Sequence, residues 1–277
     1  MARNRSRKRR VARKRRETAS KMGWGVLLAV LLALFGIGGW FAWSYASSRT
    51  VYDEVTLCPK SGATGSVVVL LDLTDPLTDQ QSARLRTMLN TRVDKISEGT
   101  MISFGVVSSD PDLRGAIFSS CKPADGKQAS QIYENPMLIA QRFKKTFLEP
   151  LHASLDKAIN TAVEDRSPIM ESLQAVIAKT PAFETAKGMR EIVIVSDLLQ
   201  NSETLSFYRG EGWEALRNSG GVGRLSHNLN DAWISIIRVP RPDASAQARG
   251  QVDDFWGRYF DQQGARAPIT MTTLGDL

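Results

Sequence analysis

Five oxygen-bearing side chains stand where apolar segments end or where a helix is predicted to begin: Asp72, Thr74, Asp75, Ser167 and Asp197. A hard divalent cation such as Mg²⁺ takes about six oxygen ligands in octahedral array, and water or a bound group supplies some of them. Two carboxylates and two hydroxyls are suitable as the ligands that the protein itself supplies, and the Asp75 carboxylate is an additional candidate. These residue types therefore predict a site for Mg²⁺ or Mn²⁺, with one position open to an acidic group of a partner.

Two apolar segments must position these groups. Val67–Leu71 runs directly into Asp72, and Glu191–Ser196 runs directly into Asp197. Continuous, β-branched apolar runs of this length are typical of strands buried on both faces of a parallel sheet. Ligands of open α/β sheets bind at the carboxyl ends of such strands. We therefore expect both acids at one edge of a sheet.

Strands alternate with helices along the rest of the chain, which predicts a mainly parallel sheet. Thr78 opens the first helix in a capping-box pattern, and Ser167 with Pro168 is expected to cap a later one. The connection from strand Met101–Val107 to segment 115–121 is too short for a crossover helix, so this segment should be an antiparallel edge strand. The predicted fold class is three-layer α/β, with helices on both faces of the sheet.

The order of these elements resembles the von Willebrand factor A (vWA) family over about residues 64–277. The resemblance rests on an Asp-x-Thr turn after the first strand, Ser-Pro-Ile-x-x-x-Leu at 167–173 and Ser-Asp at 196–197. The family's metal-ion-dependent adhesion site uses Asp-x-Ser-x-Ser, a later Thr and an Asp after the fourth strand. Matched by position, it implies four metal ligands: Asp72, Thr74, Ser167 and Asp197.

One residue departs from that family pattern. Pro76 stands where the second Ser of the motif would supply a hydroxyl, so water or Asp75 would have to fill that position. Without a metal, Asp72 and Asp197 would instead cap neighbouring helix starts, where a carboxylate accepts backbone N–H bonds.

The positive charge of the chain is confined to its amino terminus. Residues 1–21 hold 11 of the 36 Lys and Arg and one of the 29 acids, which leaves 25 basic and 28 acidic residues in 22–277. Residues 22–48 are uncharged and long enough to span a bilayer, and basic residues before a span stay in the cytoplasm. We expect a cytoplasmic tail (1–21), a transmembrane helix (22–48), a linker (49–63) and a vWA-like domain (64–277).

This arrangement predicts a single-pass protein of the inner (plasma) membrane whose main domain is periplasmic or extracytoplasmic. A cleaved signal peptide is the alternative, but the apolar stretch exceeds the usual signal core of ~7–15 residues. The basic tail could also bind nucleic acid or anionic lipid. We expect it to set topology or contact lipid, with no specific nucleic-acid partner.

The sequence contains two cysteines, Cys58 and Cys121, both on the predicted exported side. An even count in an oxidising compartment favours a disulfide, which would tie the segment leaving the membrane to the domain. Two unpaired buried thiols are the alternative. Neither cysteine has a second Cys or His at metal-ligand spacing.

The predicted function is binding, in a membrane-anchored module that contacts a protein partner within an envelope complex. Haloacid-dehalogenase-like phosphohydrolases also begin with an apolar strand, followed by Asp-x-Asp-x-Thr with a nucleophile and a general acid. Here Thr74 stands at the second acid and cannot do that work. A metal-dependent phosphatase is kept as the first alternative to the binding function, and a metal-free structural scaffold is the second.

Overall fold

The computed structural model describes residues 24, 27–41, 43–44, 50–129, 134–161, 164–240 and 246–275, with side chains from residue 250 in the last range. The chain forms two compact units that divide between Thr50 and Val51. In the first unit, residues 24, 27–41 and 43–44 are helical. Within the described ranges, no helix has both the length and the apolar character needed to cross a membrane. The predicted tail (1–21) and positions 22–23, 25–26, 42 and 45–48 of the predicted span lie outside those ranges.

The second unit is built on one sheet of six strands: β1 (Gly65–Leu71), β2 (Thr100–Val106), β3 (Ala116–Cys121), β4 (Arg190–Ser196), β5 (Trp233–Arg238) and β6 (Arg266–Thr273). Their order is β3-β2-β1-β4-β5-β6. β3 pairs antiparallel with β2 at one edge, and every other neighbouring pair is parallel. The predicted mainly parallel sheet and its antiparallel edge strand are confirmed.

The helices of this unit are α1 (Asp79–Lys95), α2 (Pro136–Phe143), α3 (Glu149–Thr161), α4 (Ile169–Ala178), α5 (Ala182–Thr185), α6 (Trp213–Asn218), α7 (Gly221–Arg224) and α8 (Ala246–Gln262). A π-helical turn, Lys144–Leu148, joins α2 to α3, and a 3₁₀ turn covers Phe207–Arg209. α1 begins with the predicted capping box, in which the side chains of Thr78 and Gln81 each accept the other's backbone N–H.

Helices cover both faces of the sheet, as the alternation of side chains along β1 shows. Val67, Val69 and Leu71 belong to a core shared with α1, α2 and α3. Val68 and Leu70 belong to a second core shared with α4 and α8. Successive residues of a strand point to opposite faces, so an all-apolar strand needs both layers. The three-layer arrangement leaves the strand ends as the places where polar groups collect.

Pro150 predicts a kink or a break in the helical segment that begins at Pro136. The structure shows the π-helical turn Lys144–Leu148, which ends two residues before this proline. Proline has no N–H for the carbonyl four residues earlier, and its ring crowds that carbonyl, so a wider turn accommodates both effects. The buried face nevertheless continues through Phe143, Phe147 and Leu151.

Residues 51–63, here called the amino-terminal strap, fold against the amino end of the sheet. Tyr52 and Pro59 form an antiparallel bridge, and the Thr56 carbonyl accepts the N–H of Cys121 at 2.7 Å. Cys58 and Cys121 form a disulfide, which confirms the predicted pairing. From residue 51 onward, the segment predicted as a linker therefore belongs to the second compact unit.

Candidate functional site

Asp72 follows β1 directly, and its carboxylate is the centre of a buried hydrogen-bond cluster. Thr74 Oγ1 donates to Oδ1 at 2.7 Å. Ser167 Oγ and Ser196 Oγ both donate to Oδ2, at 2.9 and 2.7 Å. We call these four residues the Asp72 cluster. The structure thus brings together three of the predicted site residues and adds Ser196.

The register of the sheet explains why these groups meet. β1 lies between β2 and β4, and Leu71 is paired with Val195. The Asp72 N–H donates to the Val195 carbonyl at 2.8 Å, which places Asp72 beside Ser196, the last residue of β4. Ser167 arrives from the loop before α4. Strand ends and a helix start therefore converge at the centre of the carboxyl edge, where ligands of open α/β sheets bind.

The electrostatics of the cluster favour the uncharged form of Asp72. The residue is only 7% exposed, and this burial raises the pKa of its carboxyl group. The negative charge of Asp197 raises that pKa further, whereas the hydrogen bonds from Ser196, Thr74 and Ser167 act in the opposite direction. Each side-chain donor is neutral, so no positive charge offsets the buried carboxylate within the cluster. Such an environment favours binding of a proton or of a metal cation.

Asp197 interacts with Asp72 through charge and is itself half-buried at the start of the loop after β4. Its Oδ1 accepts the N–H of Leu199 at 2.9 Å. Leu198, between them, has φ of 70°, a left-handed conformation that is uncommon for a leucine. Trp256 Nε1 donates to the Leu198 carbonyl at 3.0 Å. Packing against α8 therefore holds the backbone that carries Asp197.

Asp75 and Pro76 are exposed in the loop between β1 and α1, whereas Thr74 is buried. Pro76 has no hydroxyl, so this loop supplies one side-chain hydroxyl to the cluster instead of the two that the family motif contains. Ser196 adds a hydroxyl from β4. The Asp72 carboxylate thereby accepts three side-chain hydroxyl groups even though the motif residue is missing.

The predicted capping role of Ser167 is wrong. α4 begins at Ile169 without a side-chain cap from its own N-terminal residues, because the Ser167 hydroxyl points to Asp72. Gln200 substitutes from the loop after β4: its Oε1 accepts the N–H of Met170 at 2.9 Å. Gln200 is fully buried, so it joins the two loops that flank the cluster.

A second carboxylate, Glu164, ties the neighbouring loop to the end of β2. It accepts Ser108 Oγ at 2.6 Å and the Ser109 N–H. Burial acts to raise the pKa of Glu164, but these hydrogen bonds outweigh it and the net pKa is lowered. The Glu164 N–H donates to the Thr74 carbonyl at 3.4 Å. Glu164 therefore positions the Thr74 loop without contacting Asp72.

Sequence reasoning missed Ser196, although the sequence contained a signal for it. Ser196 is fully buried at the end of a strand that is otherwise apolar from Ile192 onward. Buried hydroxyls almost always have a hydrogen-bond partner, so a serine in that position predicts a polar neighbour. The parallel pairing with β1 makes Asp72 that neighbour.

The hydroxyl groups of the cluster can offer oxygen ligands while they keep their hydrogen bonds to Asp72. A hydroxyl that donates its proton to Asp72 keeps lone pairs that can face a cation. Within the part of the chain that the structure describes, no group of three or more His, Cys, Asp or Glu side chains is arranged to hold a metal ion. A cation bound here would therefore depend on hydroxyl oxygens and water in addition to the two aspartates.

Comparison with protein-family models and with curated proteins gave no match. The solved structures similar to this chain include the crystal structure of an aerotolerance-related membrane protein from Bacteroides fragilis NCTC 9343 with multiple mutations to serines. The two share 11% sequence identity and a TM-score of 0.33, over 74% of this chain and 92% of that chain. The class of fold is defined by the sheet itself: a mainly parallel, six-stranded α/β domain consistent with a Rossmann-like or vWA-like architecture.

Proposed function

We propose that this protein is a membrane-anchored binding module of vWA type that holds a divalent cation at the Asp72 cluster. The observation that carries the proposal is the Asp72 carboxylate, which is buried near the charge of Asp197 and whose donors, three hydroxyls and the Thr74 backbone N–H, are all uncharged. Mg²⁺ or Mn²⁺ would supply the missing positive charge. Asp72, Thr74, Ser167 and Asp197 would hold it, with Ser196 and the Asp75 carboxylate as further candidates.

The partner in this proposal is a protein that presents an acidic side chain. A carboxylate oxygen is a suitable ligand for the open position of a hard cation. The predicted ligands lie at the carboxyl edge, where loops of several strands meet, so a protein surface could contact the site from outside.

Anchoring in the membrane is supported by the helix in the first unit. Its described apolar side chains are exposed all around the helix, with Leu27 at 58%, Phe35 at 78% and Trp40 at 61%. A helix that is hydrophobic on every side needs an apolar environment. The uncharged sequence 22–48 after a basic tail supports the proposed topology, with the folded unit on the extracytoplasmic side.

Thermal unfolding of the full-length protein in detergent tests cation binding. At a Mg²⁺ concentration ten times Kd, linkage predicts a gain of about 1.4 kcal/mol, which is a rise of a few degrees in Tm over EDTA. Asp197→Asn and Ser167→Ala should lose this gain. Asp110→Asn is the matched control, because Asp110 is an exposed carboxylate at the same edge outside the cluster, and it should keep the gain.

A metal-free scaffold is the second candidate, favoured by the fact that the Asp72 oxygens already accept three hydroxyl donors. The absence of a Tm change for wild type at millimolar Mg²⁺ and Mn²⁺ would select it. Phosphatase activity separates binding from catalysis: turnover that disappears in Asp72→Asn would overturn the binding proposal in favour of phosphoryl transfer.

A further inference from the structure

The two edge strands of the sheet, β3 and β6, differ in how far the rest of the protein covers them. At the β3 edge the amino-terminal strap covers the end of the strand: the Thr56 carbonyl accepts the Cys121 N–H at 2.7 Å and Ser120 Oγ at 3.0 Å. At the β6 edge all residues but Ile269 are exposed, and Ile269 is only half-buried. Parallel sheets are normally buried on both faces, so β6 is an unusual outer strand.

The backbone of β6 has hydrogen-bonding groups that face away from the sheet. The Leu274 N–H donates to the Arg238 carbonyl of β5 at 2.8 Å. Residues of a parallel strand alternate between facing their neighbour and facing away. The N–H and C=O groups of Ile269, Met271 and Thr273 therefore point outward, where an added strand would bond them.

Beyond its first three residues, β6 lacks the usual protection against pairing. Natural edge strands are guarded by charged side chains, especially Lys, and by Pro. Arg266 and Pro268 guard only the beginning of the strand, and from Ile269 to Gly275 the sequence has no charged residue. Ile269 to Thr273 is an uncharged run with three threonines and two apolar residues, which suits β-pairing.

We infer that β6 pairs antiparallel with β6 of a second copy of this chain, around a two-fold axis at Met271. Across a two-fold axis, residue i of one copy lies opposite residue j of the other and j lies opposite i, so a strand with charges of one sign would face like charges. The uncharged run avoids that repulsion. The outward groups of Ile269 and Thr273 lie at equal distances on either side of Met271, which is the pattern that exchange of hydrogen bonds across a two-fold axis requires.

The contact would be weak for molecules free in solution. A pair of short strands buries less than the ~800 Å² per partner of a standard interface. Attachment of both copies to one membrane would raise their effective concentration. The dimer is therefore expected at high local concentration and is independent of a bound cation.

Oxidative cross-linking of full-length protein tests the inference. The described residues contain no free cysteine, so a single introduced cysteine reports on its own position. Met271→Cys should give covalent dimer on mild oxidation, because opposite Cβ atoms of an antiparallel pair lie ~4.5–5.5 Å apart. Ile117→Cys is the matched control: Ile117 lies on edge strand β3 and is 42% exposed, against 43% for Met271.

Ile269→Cys and Thr273→Cys extend the test to a shifted register. Thr273→Pro, added to Met271→Cys, removes an N–H that points outward and makes no hydrogen bond to β5. It should therefore reduce the amount of covalent dimer several-fold. Thermal unfolding of the double variant checks that the fold is kept. Equal cross-linking of Met271→Cys and Ile117→Cys would overturn the proposal. So would absence of dimer from all three β6 variants, which would leave an extended segment of another protein as the occupant of this edge.

Discussion

Two buried carboxylates at opposite ends of the same sheet have opposite surroundings. Glu191 begins β4 at the amino end and is 8% exposed, while Asp72 follows β1 at the carboxyl end and is 7% exposed. Glu191 accepts the Arg92 guanidinium and Ser235 Oγ, the latter at 2.7 Å. Asp72 accepts three hydroxyls and has Asp197 as a charged neighbour. Two carboxylates that are equally buried can therefore differ in whether their charge is balanced within the protein.

Glu191 has a neighbouring charge of opposite sign, and Asp72 does not have one within its cluster. A buried ion pair is complete when both partners come from the protein, so Glu191 has no need of a ligand. The amino end is further closed by the disulfide and the strap. The carboxyl end has only neutral donors around its acid, and this unbalanced charge is what a cation could use. The comparison predicts that the amino end provides stability and the carboxyl end provides binding.

Loss of the disulfide should have the largest effect. Cys58 and Cys121 are 63 residues apart, and the chain-entropy estimate for a loop of this size is about 4 kcal/mol. The double variant Cys58→Ser/Cys121→Ser should lose roughly this free energy of unfolding in urea titrations. A reductant should reproduce the loss in wild type and leave the variant unchanged. Any Mg²⁺-dependent gain should survive, because the site lies at the other end of the sheet.

Removal of Arg92 should be the next most damaging change. Arg92→Met leaves the Glu191 carboxylate buried without its cation, which costs about 3 kcal/mol. Arg86→Met on the same helix is the control: Arg86 pairs with Asp156 at a half-exposed position, where pairs contribute about 1 kcal/mol or less. The double variant Arg92→Met/Glu191→Met should recover much of the loss. Equal destabilisation by both single variants would contradict the comparison.

Asp72→Asn should have the smallest effect on stability, and in the opposite direction. Burial raises the pKa of Asp72 above its unfolded value, so the folded state binds the proton more tightly. Its contribution to stability is therefore present below the unfolded pKa and is lost as pH rises through the folded pKa. In EDTA at neutral pH, Asp72→Asn should be at least as stable as wild type.

Glu191→Gln is the matched variant for that measurement, because it removes the partner of Arg92 and should destabilise the protein at the same pH. Urea titrations between acidic and neutral pH would give both differences. A destabilised Asp72→Asn together with an unaffected Glu191→Gln would reverse the roles assigned to the two ends of the sheet.

Local patterns in the sequence predicted most of the fold. The apolar run before Asp72 predicted β1, the Thr78 capping box predicted the start of α1, and a short connection predicted the antiparallel β3. Each of these signals depends on residues within one element or its immediate neighbours. The disulfide was also predictable, since the chain contains only two cysteines.

The sequence by itself determined which strands end in acids, the alternation of strands with helices, and the separation of a basic tail and an apolar segment from the rest. Only the tertiary structure decided that the Ser167 hydroxyl bonds Asp72 instead of capping α4, that Gln200 takes over that cap, and that Ser196 completes the cluster. The strap at β3 and the exposed edge at β6 were decided there as well. The physical reason is that these contacts join residues from about 30 to more than 120 positions apart, and their choice of partner depends on strand order and register.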